Sequence, residues 1–139
     1  MATNRVFAGN DGNNREKAVP AGTQPGTPLI IEGRSAVTLT ARGDATVTQT
    51  EGLPSGLTSL TYGNGGVGNL PGSASVAFDG TFEFAVAGAT TSTASGVDVY
   101  ITSAGGLTLT EDTNTLFGTT DYPRDYAQVA GRAPVRIGA

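Results

Sequence analysis

The sequence predicts an all-β protein, a small β-barrel or β-sandwich body with an extended N-terminal arm. Three observations carry that expectation. The stretch 74–110 alternates apolar and polar residues with period two and holds three of the five Phe, the pattern of half-buried strands. Glycine (21) and proline (7) make up a fifth of the 139 residues, and threonine is as frequent as glycine, which disfavours long helices and favours short strands joined by turns. The first 28 residues hold few apolar side chains beyond Val6, Phe7 and Val19. They cannot bury enough surface to offset the roughly 1–2 kcal/mol per residue that ordering costs.

Composition narrows the function classes. Cysteine, histidine and tryptophan are absent, so there is no disulfide framework, no Cys/His zinc site and no Cys or His nucleophile–base pair. Only 14% of residues are charged, below the usual quarter, which fits either a surface that largely meets other protein or simply Thr-rich strands. The net charge of −4 is uneven. Residues 1–28 carry three cations against two acids, whereas residues 29–139 carry five Arg against ten acids. An acidic body argues against nucleic acid as a partner. No 18-residue apolar run is present, so no membrane-spanning segment is expected, and the N-terminal residues lack the apolar region of a secretion signal, so synthesis in the cytosol is expected.

Residues 1–28 form the expected arm, loose by itself and ordered as an extended strand against a partner. Its candidate contact residues are Arg5, Val6, Phe7, Arg15, Lys17 and Val19. The body, residues 29–139, opens with a short strand over 28–33 that ends at glycine. Val37, Leu39 and Val47 continue the alternation, broken at Arg42-Gly43-Asp44, which reads as a turn. Residues 53–72 read as a long Gly-rich loop that packs on a neighbouring subunit, with Tyr62, Val67 and Leu70 as its interface candidates. Gly63 to Gly68 satisfies the dinucleotide pattern G-x-G-x-x-G literally, but Asn69-Leu70-Pro71-Gly72 follows, which cannot start the phosphate-binding helix that the motif needs.

Asp79-Gly80 looks like a hairpin turn, yet pairing across it would set an apolar face against a polar one, so one long bent strand is expected through Val76, Phe78, Phe82, Phe84 and Val86. A three-residue loop at Ala104-Gly105-Gly106 predicts a hairpin that pairs Ile101 with Leu109. Residues 111–114 read as a turn, 116–118 as a strand, and 133–138 as the last strand with Val135 and Ile137 inward and Arg136 outward. Tyr122, Arg124 and Tyr126 lie close in sequence and suit either a subunit-interface anchor or rings lying over a barrel edge.

No catalytic constellation emerges. Without histidine, acid–base work near neutral pH would need a tuned carboxylate pair, and the acids are scattered. Lys17 is the only lysine, so no Ser–Lys dyad is expected, and Asp121 with Asp125 is too few oxygens for calcium. The expectation is a non-enzyme without metal or cofactor.

The strand pattern resembles the head-decoration (capsid cement) proteins of tailed bacteriophages. The residues that carry the resemblance are Val76-Ala77-Phe78-Asp79-Gly80-Thr81-Phe82-Glu83-Phe84, Gly96-Val97-Asp98-Val99-Tyr100-Ile101-Thr102 with Gly105-Gly106, Phe117-Gly118, and Val135-Arg136-Ile137. The resemblance covers about residues 26–139, and the loop at 53–72 is longer than is typical of the family. It implies a β-tulip-like body on the outside of the mature expanded shell, with the major capsid protein as partner. It also implies self-association, as a homotrimer at three-fold and quasi-three-fold positions, and a place on the capsid exterior of the virion. A tail or fibre component, or a glycan-binding β module using Tyr122 and Tyr126, is the alternative.

Overall fold

Alternation through Phe82, Phe84 and Val86 makes the longest strand among the described residues, and that strand becomes the seam of a closed barrel. The computed structural model describes residues 4–8, 14–43, 45–64 and 72–138. Among them are twelve strands and no helix: β1 (Arg5–Ala8), β2 (Arg15–Ala18), β3 (Pro28–Ile31), β4 (Arg34–Thr38), β5 (Ala45–Gln49), β6 (Leu60–Asn64), β7 (Ser73–Ala77), β8 (Gly80–Ala87), β9 (Asp98–Ile101), β10 (Leu107–Thr108), β11 (Thr115–Thr120) and β12 (Arg132–Ile137). The all-β class expected from the sequence is borne out.

The barrel closes through five strands in the order β8-β10-β9-β11-β12 and back to β8. On one edge of β8 lies β12, antiparallel from Arg132↔Ala85 to Ile137↔Gly80. The other edge is shared: β1 pairs antiparallel with its first half, and β10 runs parallel to its end at Val86 and Ala87. Inward residues of all five strands fill the interior, among them Phe82, Phe84, Val99, Leu107, Phe117 and Val135. Phe84 and Phe117 meet edge to face at 5.9 Å between ring centroids.

A four-stranded antiparallel sheet, β2-β7-β4-β3, lies beside the barrel, and β5 and β6 form a separate hairpin. Val37 and Ala77 of the four-stranded sheet pair with each other and join the barrel core, whereas Ala36, Ala74, Val76 and Phe78 form a second cluster with Val19. Successive residues of β4 and of β7 thus feed different cores, as the pleat requires. Two buried threonines tie loops to these sheets. The Thr38 hydroxyl accepts from the Thr27 amide (2.9 Å) and donates to Gln24 O (2.6 Å), and the Thr120 hydroxyl accepts from the Val97 amide (3.0 Å) and donates to Ala94 O (2.7 Å).

Several expectations change. The stretch 74–86 makes no hairpin, as reasoned, but it is two strands: at Phe78-Asp79 the chain bends out of the four-stranded sheet and enters the barrel. A strand that switches sheets at a bend is how a corner between packed sheets is made. Gly138 sits against this crossing, where a Cβ would strike Phe78 O and Asp79.

The hairpin near residue 104 forms with a different register. Ile101 pairs with Leu107, not with Leu109, because Thr102 closes the loop: its amide donates to Gly106 O (2.8 Å), its carbonyl accepts from Gly105 (3.0 Å) and its hydroxyl accepts from Gly106 (3.1 Å). Both registers keep the same faces inward, so alternation alone could not separate them.

Within 53–72, residues 60–64 are not loop but β6, paired with β5 from Ala45↔Asn64 to Gln49↔Leu60. Gly43 is no turn residue either. Its amide donates to Ser73 O (2.9 Å) and its carbonyl accepts from the Gly72 amide, while Asp44 lies outside the described residues.

The described parts of the N-terminal segment are extended, but they are not loose. β1 lies on the barrel, β2 on the second sheet at Arg15↔Val76 to Ala18↔Ser73, and Val19 is 7% exposed. Backbone hydrogen bonds to two open strand edges supply what the sparse apolar side chains cannot. Removing residues 1–25 is therefore expected to destabilise the body by more than the roughly 1.5–3 kcal/mol of one buried valine, measured by denaturant unfolding. A second test is Gly118→Ala. Gly118 sits at a register shift in β11, where a Cβ would meet Arg136 O and lie 2.9 Å from Val135 Cγ1. We expect a loss of about 2–4 kcal/mol for Gly118→Ala and near-neutral behaviour for Gly106→Ala, whose Cβ has ordinary space.

Candidate functional site

Cross-strand partners in an antiparallel sheet point to the same face, so the β2–β7 register decides where the N-terminal cations go. Arg15 stands opposite Val76 and Lys17 opposite Ala74, which sets both on the outer, second-cluster face of the four-stranded sheet. Lys17 Nζ reaches both carboxylate oxygens of Glu32 at 3.0 Å, at the tip of the β3–β4 hairpin. Glu32 and Gly33 both have positive φ (54° and 76°), the conformation of a tight two-residue hairpin loop. That turn brings Arg34 onto the same face, with its guanidinium carbon 4.1 Å from the centroid of the Phe78 ring. Phe78 is 1% exposed and Val76 fully buried, yet Arg15, Glu32 and Arg34 are exposed. Long cationic stems lie along apolar surface while their heads stay in water.

The other N-terminal candidates separate from this group. Arg5 and Phe7 pair in register with Phe82 and Thr81 on the barrel, and Val6 sits at the irregularity between them. Asn4 fastens this end: its carbonyl accepts from the Glu83 amide (2.7 Å), and its side-chain amide donates to Glu83 O (3.0 Å). Val19 belongs to the second cluster, so it cannot meet a partner without unpacking.

Of the interface candidates, Tyr62 lies on β6 opposite Val47, and Val67 and Leu70 fall outside the described residues. Tyr122 and Tyr126 come together edge to face at 5.6 Å, with Tyr122 packed on the barrel core and Arg124 exposed nearby. The Tyr126 hydroxyl donates to Glu83, whose other oxygen accepts from Arg132 Nε (3.1 Å) and a terminal guanidinium nitrogen (3.0 Å). The tyrosines thus lie over the barrel edge, and one is engaged within the chain. Glu32, Arg34, Glu83 and Arg132 were not singled out from the sequence. Glu83 and Arg132 are 49 residues apart, and no local pattern announces such a pair.

Two shallow grooves flank β11. One, of about 230 Å³, is lined by Ser35, Leu116, Phe117, Gly118 and Arg136 among others. The second, of about 280 Å³, lies between β3 and the 102–105 loop, and its lining is uncharged. Neither gathers a set of titratable groups. Among the described residues, no three or more metal-ligating side chains cluster.

The Glu83 network sets a pH dependence. The hydrogen bond from Tyr126 holds the Glu83 carboxyl below its ordinary 4.5 against the opposing effect of burial, with Arg132 helping. Burial, then the bond to Glu83, push the Tyr126 hydroxyl up to about 12 from 10.0. A lowered carboxylate stabilises the fold above pH 4.5 and loses that contribution as pH falls. A raised phenol stabilises it below pH 10 and loses that contribution as pH rises towards 12. Tyr126→Phe should reduce the alkaline loss, leaving the part that the raised Tyr100 and Tyr122 hydroxyls contribute, and let the Glu83 carboxyl titrate closer to its ordinary value. Carboxyl NMR and the pH dependence of the unfolding midpoint read the two effects.

Comparison with known proteins leaves the geometry to speak for itself: no family model matches the chain, and no curated protein or solved structure matches it significantly.

Proposed function

We propose that this protein is a capsid-decorating protein, which binds the outer surface of a mature, expanded phage shell and holds neighbouring capsomers together. The observation that carries the reading is where its signature residues lie. The stretches 76–84, 96–102, 117–118 and 135–137, on which the resemblance rests, contribute to β7, β8, β9, β11 and β12, the crossing and walls of the barrel. The N-terminal segment supports it too. In its described parts it is already extended and hydrogen-bonded to the body, so little further ordering entropy opposes docking on a second protein.

In this reading the partner is the major capsid protein, copies of the chain associate as homotrimers at three-fold and quasi-three-fold positions, and the work is adhesion without chemistry or cofactor. Repeated weak contacts on one lattice act together through avidity. Arg5, Arg15 and Lys17 remain candidates for shell contact, and Arg124 with the exposed parts of Tyr122 and Tyr126 for contact between copies.

The test uses purified protein with expanded, undecorated heads and with unexpanded procapsids, followed by co-sedimentation. Selective retention on expanded heads is expected; binding to neither would overturn the proposal. Sedimentation velocity of the free protein reads the expected trimer.

A further inference from the structure

The charge of the protein is divided between the four-stranded sheet and the barrel. Residues 14–43, which hold β2, β3 and β4, carry Arg15, Lys17, Arg34 and Arg42 against Glu16 and Glu32, a balance of +2. Residues 80–138, which hold the barrel strands β8 to β12, carry three Arg against six acids, a balance of −3. An acidic protein thus has one basic side, and three of its cations, Arg15, Lys17 and Arg34, share the outer face of the four-stranded sheet.

We infer that this face is the surface through which the protein docks, and that its ligand is an acidic, extended segment on the outside of the shell protein. The inference rests on the decoration reading above and specifies its partner chemistry. Glu32 illustrates how such a segment would be held, since both its oxygens lie 3.0 Å from Lys17 Nζ. Glu32 is exposed, with 64% of its side-chain surface open to solvent, so exchange for a partner carboxylate displaces an ion pair of the weak, solvated kind. Arg34, exposed and with its guanidinium carbon 4.1 Å from the centroid of the Phe78 ring, is placed on the same face to take a second carboxylate.

The same charges do not suit nucleic acid or an anionic membrane. Those ligands need longer cationic runs than three side chains, and the −3 of the barrel opposes them.

The test measures retention of the full chain on expanded heads over a range of salt concentrations, with duplex DNA as a second probe. The wild type should bind heads less tightly as salt rises and should not be retained on DNA. Arg15→Glu combined with Arg34→Glu should weaken binding by about tenfold or more and flatten the salt dependence. Glu32→Asn removes the competing carboxylate at a positive φ that asparagine tolerates, and it should bind several-fold tighter, a gain that no folding defect can imitate. Wild-type binding that the double reversal leaves unchanged, or an unchanged Glu32→Asn, sinks the basic face but leaves decoration standing. Retention on DNA at the same salt overturns the acidic-protein assignment, and failure of the wild type to bind any head removes both proposals.

Discussion

Hydrogen bonding along both edges of β8 is the constraint on which the rest of this protein depends. One edge belongs to β12 throughout, and that pairing closes the five-stranded barrel. The opposite edge is divided between β10, which completes the ring, and β1, which arrives from the N-terminal segment. A barrel has no open edge along its circumference, so strand-edge association is blocked at the five barrel strands. Only the part of β8 that β10 does not cover stays available, and β1 covers it.

The same strand sets how the two halves meet. Since β7 runs into β8 through the bend at Phe78-Asp79, the four-stranded sheet must lie against the barrel, and its Val37 and Ala77 become residues of the barrel core. Close backbone approaches reinforce the junction: Gly138 lies against the bend, and Gly118 sits between β11 and β12. The Ser35 hydroxyl donates to Phe117 O at 2.5 Å, linking β4 directly to β11. The polar groups that are buried, Thr38 and Thr120 above all, are spent holding loops to sheets.

The outer face of the four-stranded sheet is different in kind. Arg34 lies over Phe78 of its apolar cluster, and Lys17 and Glu32 pair beside it. The Glu83–Tyr126–Arg132 network, by contrast, fixes the segment between β11 and β12 over the barrel wall.

What the sequence determined by itself was local and periodic. Alternation at Phe82, Phe84 and Val86, and at Val135 and Ile137, named barrel-facing residues correctly, because a pleated strand turns successive side chains to opposite faces whatever lies beyond it. Parity also ruled out a hairpin at Asp79-Gly80. Tertiary structure alone decided register and partnership. The hairpin around Gly105 could shift by two residues without exposing an apolar side chain, so a Thr102 hydrogen bond chose between the alternatives. Residues 60–64 became a strand because 45–49 offered them an edge, and a Gly-rich composition does not reveal that edge. Few apolar residues make the N-terminal segment look loose, but its described strands are ordered by backbone hydrogen bonds to β7 and β8. Lys17 and Arg34 share a face with Phe78 for the same reason: main-chain pairing is blind to side-chain identity, so the residues it brings together cannot be read from any one stretch of the chain.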